Sequence, residues 1–151
     1  KSAYMPFLSK RFARDMAKCI QENYFMQFDM ITYTPLSKKS LRKRDYNQAY
    51  LLAKEISKIL DIPLADLLIK VRKTKEQKSL NSRERKTNVY GAFDLKDKDI
   101  VINKRILLID DVKTTGSTLN ECAKMLNIYG AQSVWAATLA VAVPKEKGDK
   151  K

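Results

Sequence analysis

Histidine is missing from all 151 residues. Its absence excludes Ser-His-Asp and Cys-His catalytic machinery and removes the commonest protein metal ligand. Cysteine is nearly missing. Cys19 and Cys122 fall on separate predicted helices, and two thiols cannot complete a four-ligand zinc site by themselves. They read as two buried, reduced cysteines of a cytoplasmic protein, and any metal held here should be hard and oxygen-ligated. Glycine occurs only at Gly91, Gly116, Gly130 and Gly148. These cannot form the Gly-x-Gly-x-x-Gly of a dinucleotide fold, and there is no Gly-x-x-x-x-Gly-Lys-Ser/Thr loop. No apolar run approaches the roughly 18–20 residues of a membrane helix, so no span is expected. No secretory leader pattern opens the chain, which starts at Lys1 rather than Met and so reads as truncated or processed.

Acidic residues are scarce relative to basic ones. Thirty Lys and Arg face seventeen Asp and Glu, a formal charge of +13. That excess predicts attraction to polyanions, either nucleic acid or a small ligand dense in phosphate. A surface charged only for solubility needs less one-sided a balance. The length suits one domain, 1–151, with a core of its own.

Ser9 to about Tyr24 has the spacing of an amphipathic helix, with Phe12, Met16, Cys19 and Ile20 on one side and Ser9 as N-cap. Phe28–Thr34 reads as a short strand ended by Pro35, and 37–45 as a basic loop. A second helix is expected from Tyr46 to Leu60, stopping before Pro63. Leu67–Arg72 and Gly91–Leu95 read as strands. The polar, aperiodic stretch Lys73–Tyr90 between them reads as a long loop, of a length that is usually functional or disordered. Arg105–Ile109 is an apolar run of the fully buried, parallel type. A helix over Ser117–Tyr129 closes at Gly130, and Ser133–Val143 is a further strand, with a charged tail after it. Strands alternating with helices predict an α/β fold, a mostly parallel sheet with helices on both faces.

The richest chemistry follows the buried run. Asp110 and Asp111 stand side by side at its C-terminal end, where α/β sheets bind ligands. Val112, Lys113, Thr114, Thr115, Gly116, Ser117 and Thr118 then lead into a helix. A helix N-terminus favours an anion through its free N–H groups and dipole, Gly116 allows close approach, and the hydroxyls supply short donors. Paired carboxylates repel unless a cation or hydroxyl donors satisfy them, and a ribose diol offers two such donors. A diol on the acids and a phosphate in the cup describe a phosphorylated ribose. An ordinary strand-turn-helix needs one capping hydroxyl and no acidic pair.

Asp110–Thr118 resembles the phosphoribosyl-pyrophosphate (PRPP) motif of type I phosphoribosyltransferases. Thr34-Pro35-Leu36-Ser37 followed by Arg44-Asp45-Tyr46-Asn47-Gln48-Ala49 resembles a signature of the ComF family. So does Arg72-x-Thr74-x-x-Gln77-x-x-Leu80 with Arg85-x-x-Asn88-x-x-Gly91-Ala92-Phe93. The resemblance covers about residues 30–141. It implies a type I phosphoribosyltransferase-like fold and a part in bacterial competence, supporting entry of transforming single-stranded DNA into the cytoplasm alongside other competence proteins. It also implies PRPP and Mg²⁺ as ligands. Asp110 and Asp111 would be the metal and catalytic residues, Thr114–Thr118 the 5-phosphate site, and Leu36, Ser37 and Lys38 the pyrophosphate loop. Arg72, Gln77 and Arg85 would belong to a flexible hood. Many ComF members begin with a four-cysteine zinc module, which these residues lack. Ser37 stands where His is common, and Asp45 replaces the usual Gly.

Lys39, Arg42, Lys43 and Arg44 crowd one of the loops flanking the pyrophosphate position, more cations than PRPP needs. The surplus points to nucleic acid. Tyr33, Tyr46 and Tyr90 lie nearby, as stacking platforms or as packing residues. Two functions stand: a competence protein binding PRPP and single-stranded DNA, or a Mg²⁺-dependent phosphoribosyltransferase acting on an unidentified acceptor.

Overall fold

The computed structural model describes residues 4–24, 27–37, 40–42, 45–71 and 91–142. Among the described residues the longer helices, α1 (Tyr4–Asn23), α2 (Gln48–Leu60) and α3 (Ser117–Ile128), accompany five strands. β1 (Met30–Tyr33), β4 (Arg105–Lys113) and β5 (Ser133–Val141) form a parallel sheet with β4 in the middle, while β2 (Leu68–Lys70) and β3 (Phe93–Leu95) make a separate antiparallel ribbon.

β4 divides the core by alternation. Ile106 and Leu108 face Leu119, Cys122 and Leu126 of α3, together with Leu68, Phe93 and Leu95 of the ribbon. Leu107 and Ile109 face Ala13, Met16 and Ile20 of α1 and Leu52, Ala53 and Ile56 of α2. All four β4 side chains are fully buried, each contributing about 1.5–3 kcal/mol of transfer free energy. A strand buried on both faces cannot alternate polar and apolar residues, which is why this run is continuous.

The connections fix where a ligand can enter. From β1 the chain passes through α2 and returns on the outer side of β1, where Leu64 bridges Ile31 in parallel. From β4 it passes through α3 to β5 on the opposite side. Right-handed crossovers running in opposite directions place their helices on opposite faces, and a crevice opens where the directions diverge, between the C-terminal ends of β1 and β4.

Several sequence boundaries shift. α1 begins at Tyr4, so Ser9 lies inside it and is buried rather than capping it. Its buried face is Ala13, Met16, Ala17 and Ile20, while Phe12 and Cys19 are exposed. Ala13, Met16 and Ile20 pack in one cluster with Leu52, Ala53 and Ile56 of α2, which leaves Phe12 and Cys19 facing outward. Only Cys122 is the buried thiol expected of both. α2 starts at Gln48 because Asn47 is its N-cap, and it ends on Asp61 in the left-handed conformation. Gly130, at φ +91°, follows the last turn of α3 as expected. The stretch 73–90 lies outside the described residues.

Candidate ligand-binding site

β4 outruns β1. Its pairing with β1 stops at Tyr33 and Ile109, whereas its pairing with β5 continues through Val112 and Lys113. The sequence ends the strand at Ile109, because the carboxylates that follow look like loop residues. Hydrogen bonding to β5 extends it past them. Asp110 and Asp111 are therefore strand residues, fixed in place beside a neighbour that has already turned away.

Asp110 continues the alternation of Ile106 and Leu108 and is only 8% exposed. Its Oδ1 accepts from Thr34 Oγ1 at 2.7 Å and from the Asp111 N–H at 2.9 Å. Burial pushes its carboxyl up to about 7. The Thr34 hydrogen bond opposes that shift, and the neighbouring Asp111 charge adds to it. Asp111 is half-buried, with Oδ1 accepting from the Val112 N–H at 2.9 Å.

Beyond them Val112 and Lys113 are exposed and Thr114 and Thr115 half-buried. Thr115 Oγ1 lies 2.6 Å from Ser117 Oγ. Gly116 is the N-cap of α3, at φ +74°, and brings no side-chain acceptor to the helix end. A Cβ there would sit 3.3 Å from Lys113 Cε in a conformation that side chains rarely adopt. The first backbone bond of the helix runs from Asn120 N–H to Gly116 O. Ahead of it the Ser117 N–H donates to Thr115 Oγ1 at 3.4 Å, and this end of the helix, with glycine as its cap, is of the kind that favours an anion.

The opposite wall comes from the end of β1. Thr34 is buried, and its carbonyl accepts from Asn47 Nδ2 at 3.0 Å, while Asn47 Oδ1 accepts from the Tyr50 N–H at 3.4 Å. One side chain thus caps α2 and ties it to the strand end. Leu36 and Ser37 are half-buried. Ser37 Oγ accepts from the Ser40 N–H at 3.1 Å, so this hydroxyl caps the helical turn at Ser40–Arg42. Arg42 is exposed. Asp45 takes φ +64°, the conformation that glycine adopts most easily. Lys38, Lys39, Lys43, Arg44, Arg72, Gln77 and Arg85 lie outside the described residues.

Sequence reading missed Thr34 and Asn47 as members of this site. Both sit in the motif that carries the family resemblance, but a buried hydrogen bond spanning 76 positions leaves no trace in local spacing. Tyr33 reads as a packing residue. It meets Tyr50 edge-to-face at 5.2 Å, and burial together with the Asp66 carboxylate raises its pKa.

A hard dication fits the donor set. The two carboxyl groups are close enough to raise Asp110, a repulsion that a cation relieves. Among the described residues no cluster of three or more Cys, Asp or Glu comes together. A metal here would therefore complete its shell with water and ligand oxygens, as Mg²⁺ does.

Residues 46–151 match the phosphoribosyl transferase domain family. The chain belongs to that family. Competence protein F of Haemophilus influenzae is 41% identical over 100 residues, 65% of this chain and 44% of that protein. DNA utilization protein YhgH of Escherichia coli is 35% identical over 107 residues, 70% of this chain and 46% of that protein. The ComF resemblance of the sequence is borne out by these relatives, and the chain spans less than half the length of each. The fold matches a purine phosphoribosyltransferase from Pyrococcus horikoshii, with a TM-score of 0.54, 20% identity, and coverage of 92% of this chain and 79% of that one. That likeness bears out the α/β, type I phosphoribosyltransferase fold, with its parallel sheet between helices. No described helix is long and apolar enough to cross a membrane.

Proposed function

We propose that this domain binds PRPP together with Mg²⁺ in the crevice between the ends of β1 and β4, as part of a ComF-type competence protein that serves the uptake of single-stranded DNA. The observation that carries the reading is the pairing of a buried acid, Asp110, held by Thr34 across the crevice, with a helix N-terminus whose cap, Gly116, stands six residues later and brings no side-chain acceptor. Ribose hydroxyls donate to Asp110 and Asp111, and the 5-phosphate sits in the turn Thr114–Thr118. Mg²⁺, where bound, neutralises phosphate charge beside the two acids. The names of the relatives support the competence role, and the charge of +13 supports a second polyanionic partner.

Calorimetric titration with PRPP and MgCl₂ tests the site. Asp110→Asn combined with Asp111→Asn is expected to abolish binding while leaving the circular dichroism spectrum intact. Unchanged affinity in that folded double variant would overturn the assignment. Membership of a transferase family favours a second reading, in which pyrophosphate leaves the ribose of PRPP through an oxocarbenium-like centre that Asp110 or Asp111 stabilises electrostatically. Release of pyrophosphate on addition of one nucleobase from a panel decides for it, and silence across the panel decides for binding alone.

A further inference from the structure

Lys70 is a charge that the pattern of β2 does not call for. Leu68 and Lys70 share one side of this strand and Ile69 takes the other. Leu68 is buried in the core against α3, and Ile69 is exposed. Lys70 thus occupies an inward position where an apolar residue is the ordinary choice. It pairs with Phe93 in the ladder, and its ammonium lies 5.6 Å from the centre of that ring. A lysine whose stem merely fills space usually carries its head out to water. This one stays half-buried, and burial lowers its pKa. Among the described residues no carboxylate pairs with it.

Its direction comes from how the ribbon lies along α3. Glu121, in the second turn of the helix, accepts from the Gly91 N–H at 3.1 Å, and past the far end of α3 the Gly130 carbonyl accepts from the Asn103 N–H at 2.8 Å. The chain through β3 therefore runs away from the crevice end of α3, and Lys70, paired with Phe93 at the start of β3, lies toward that end. A half-buried cation that has only the Phe93 ring, and no carboxylate among the described residues, has lost part of its hydration for a small return. An anion arriving in the crevice reverses that loss, and reduced screening there strengthens the contact.

We propose that Lys70 is a ligand-contacting residue of the crevice, donating to a phosphate-type anionic group of the molecule whose ribose is held by Asp110 and Asp111. The assignment rests on the PRPP reading of that site and adds to it a residue from the β2–β3 ribbon.

The test compares the wild-type chain with Lys70→Met and Lys70→Arg. Each is titrated calorimetrically with PRPP plus MgCl₂ and with inorganic pyrophosphate, and the thermal midpoint of each is recorded. Lys70→Met should weaken binding on the order of tenfold, the scale of one charge-assisted hydrogen bond. Its midpoint should equal or exceed that of the wild type, because Met keeps the stem over Phe93 and removes the desolvated charge. Lys70→Arg should recover most of the affinity. A loss under about threefold in Lys70→Met overturns the proposal. So does a combined fall of affinity and midpoint that Arg fails to repair, since a packing role predicts that pattern. If the wild-type chain binds neither ligand, the reading of the whole site fails and Lys70 falls with it. Binding by the wild type with an indifferent Lys70→Met defeats the Lys70 assignment alone.

Discussion

Burial and a single hydroxyl compete at Asp110, and burial wins, holding the carboxyl at about 7 against an ordinary value near 3.8. The sign of the consequence follows from proton linkage. Between the unfolded value and about 7 the folded chain binds the proton more tightly than the unfolded chain. Stability therefore falls as pH rises through that window and levels off above it. The total is on the order of a few kcal/mol. Asp29 behaves oppositely: its hydrogen bonds from Arg105 hold its pKa well below the usual range, so its contribution is lost only in strong acid. No histidine titrates in between, which leaves the range from pH 5 to 8 unusually clean for Asp110. Asp110→Asn should flatten the fall in thermal midpoint between pH 5 and 8, and its advantage over the wild type should be largest above pH 7. Parallel pH profiles for the two proteins would show that Asp110 is ionised in the fold throughout. Binding of the proposed ligand would turn the same feature to use, since diol donors or a cation favour the charged form that burial disfavours.

At the scale of elements, the site depends on how α2 is fastened. Asn47 caps the helix with Oδ1 and holds the Thr34 carbonyl with Nδ2, and Thr34 in turn holds Asp110. Asn47→Ala should cost about 1 kcal/mol in chemical denaturation, the usual worth of an N-cap. It should also weaken PRPP binding, although Asn47 touches neither acid. Loss of stability with full affinity would mean that Thr34 holds Asp110 without help from α2. Much of this architecture is legible in the sequence: Ile106–Ile109 announces a strand buried on both faces, and Gly130 marks the end of α3. What escapes is set by contacts between elements. β4 runs on to Lys113 because β5 supplies partners, and nothing within Asp110–Lys113 signals that. The buried side of α1 is the one whose Ala13, Met16 and Ile20 pack with α2 and the sheet, so the larger Phe12, the more obvious core residue by size, ends up outside. The two acids and the hydroxyl-rich turn after them could be singled out as candidates because their chemistry is local. Thr34 and the contact proposed for Lys70 could not, since one acts across 76 positions and the other is suggested only once the inward side of β2 is known.

Taken as a whole, the molecule carries a charge of +13, and the small-ligand site proposed for it would account for little of that. PRPP needs a few cations, whereas a single strand of DNA presents a phosphate at every nucleotide. Arg42 is exposed on the helical turn capped by Ser37, and the sequence places Lys39, Lys43 and Arg44 around it. A strand held by such charges should bind without marked sequence preference, and its affinity should fall steeply with salt, because each neutralised phosphate releases about 0.7 counterion. Replacing Lys39, Arg42, Lys43 and Arg44 by Ala should weaken binding of a labelled single strand in fluorescence anisotropy. It should also flatten the salt slope by as much as about 2.8, four contacts at that increment. The same four replacements made among Lys10, Arg11, Arg14 and Lys18 of α1, which are also exposed, supply the control. Equal losses from the two sets would mean that charge acts over the whole surface and that the loop beside the crevice has no special claim on DNA. A loss confined to the loop set would place the nucleic acid next to the proposed PRPP site, close enough for one ligand to alter the affinity of the other. Repeating the titration with PRPP and Mg²⁺ present then measures that coupling in both directions, since linkage requires the two effects to be equal.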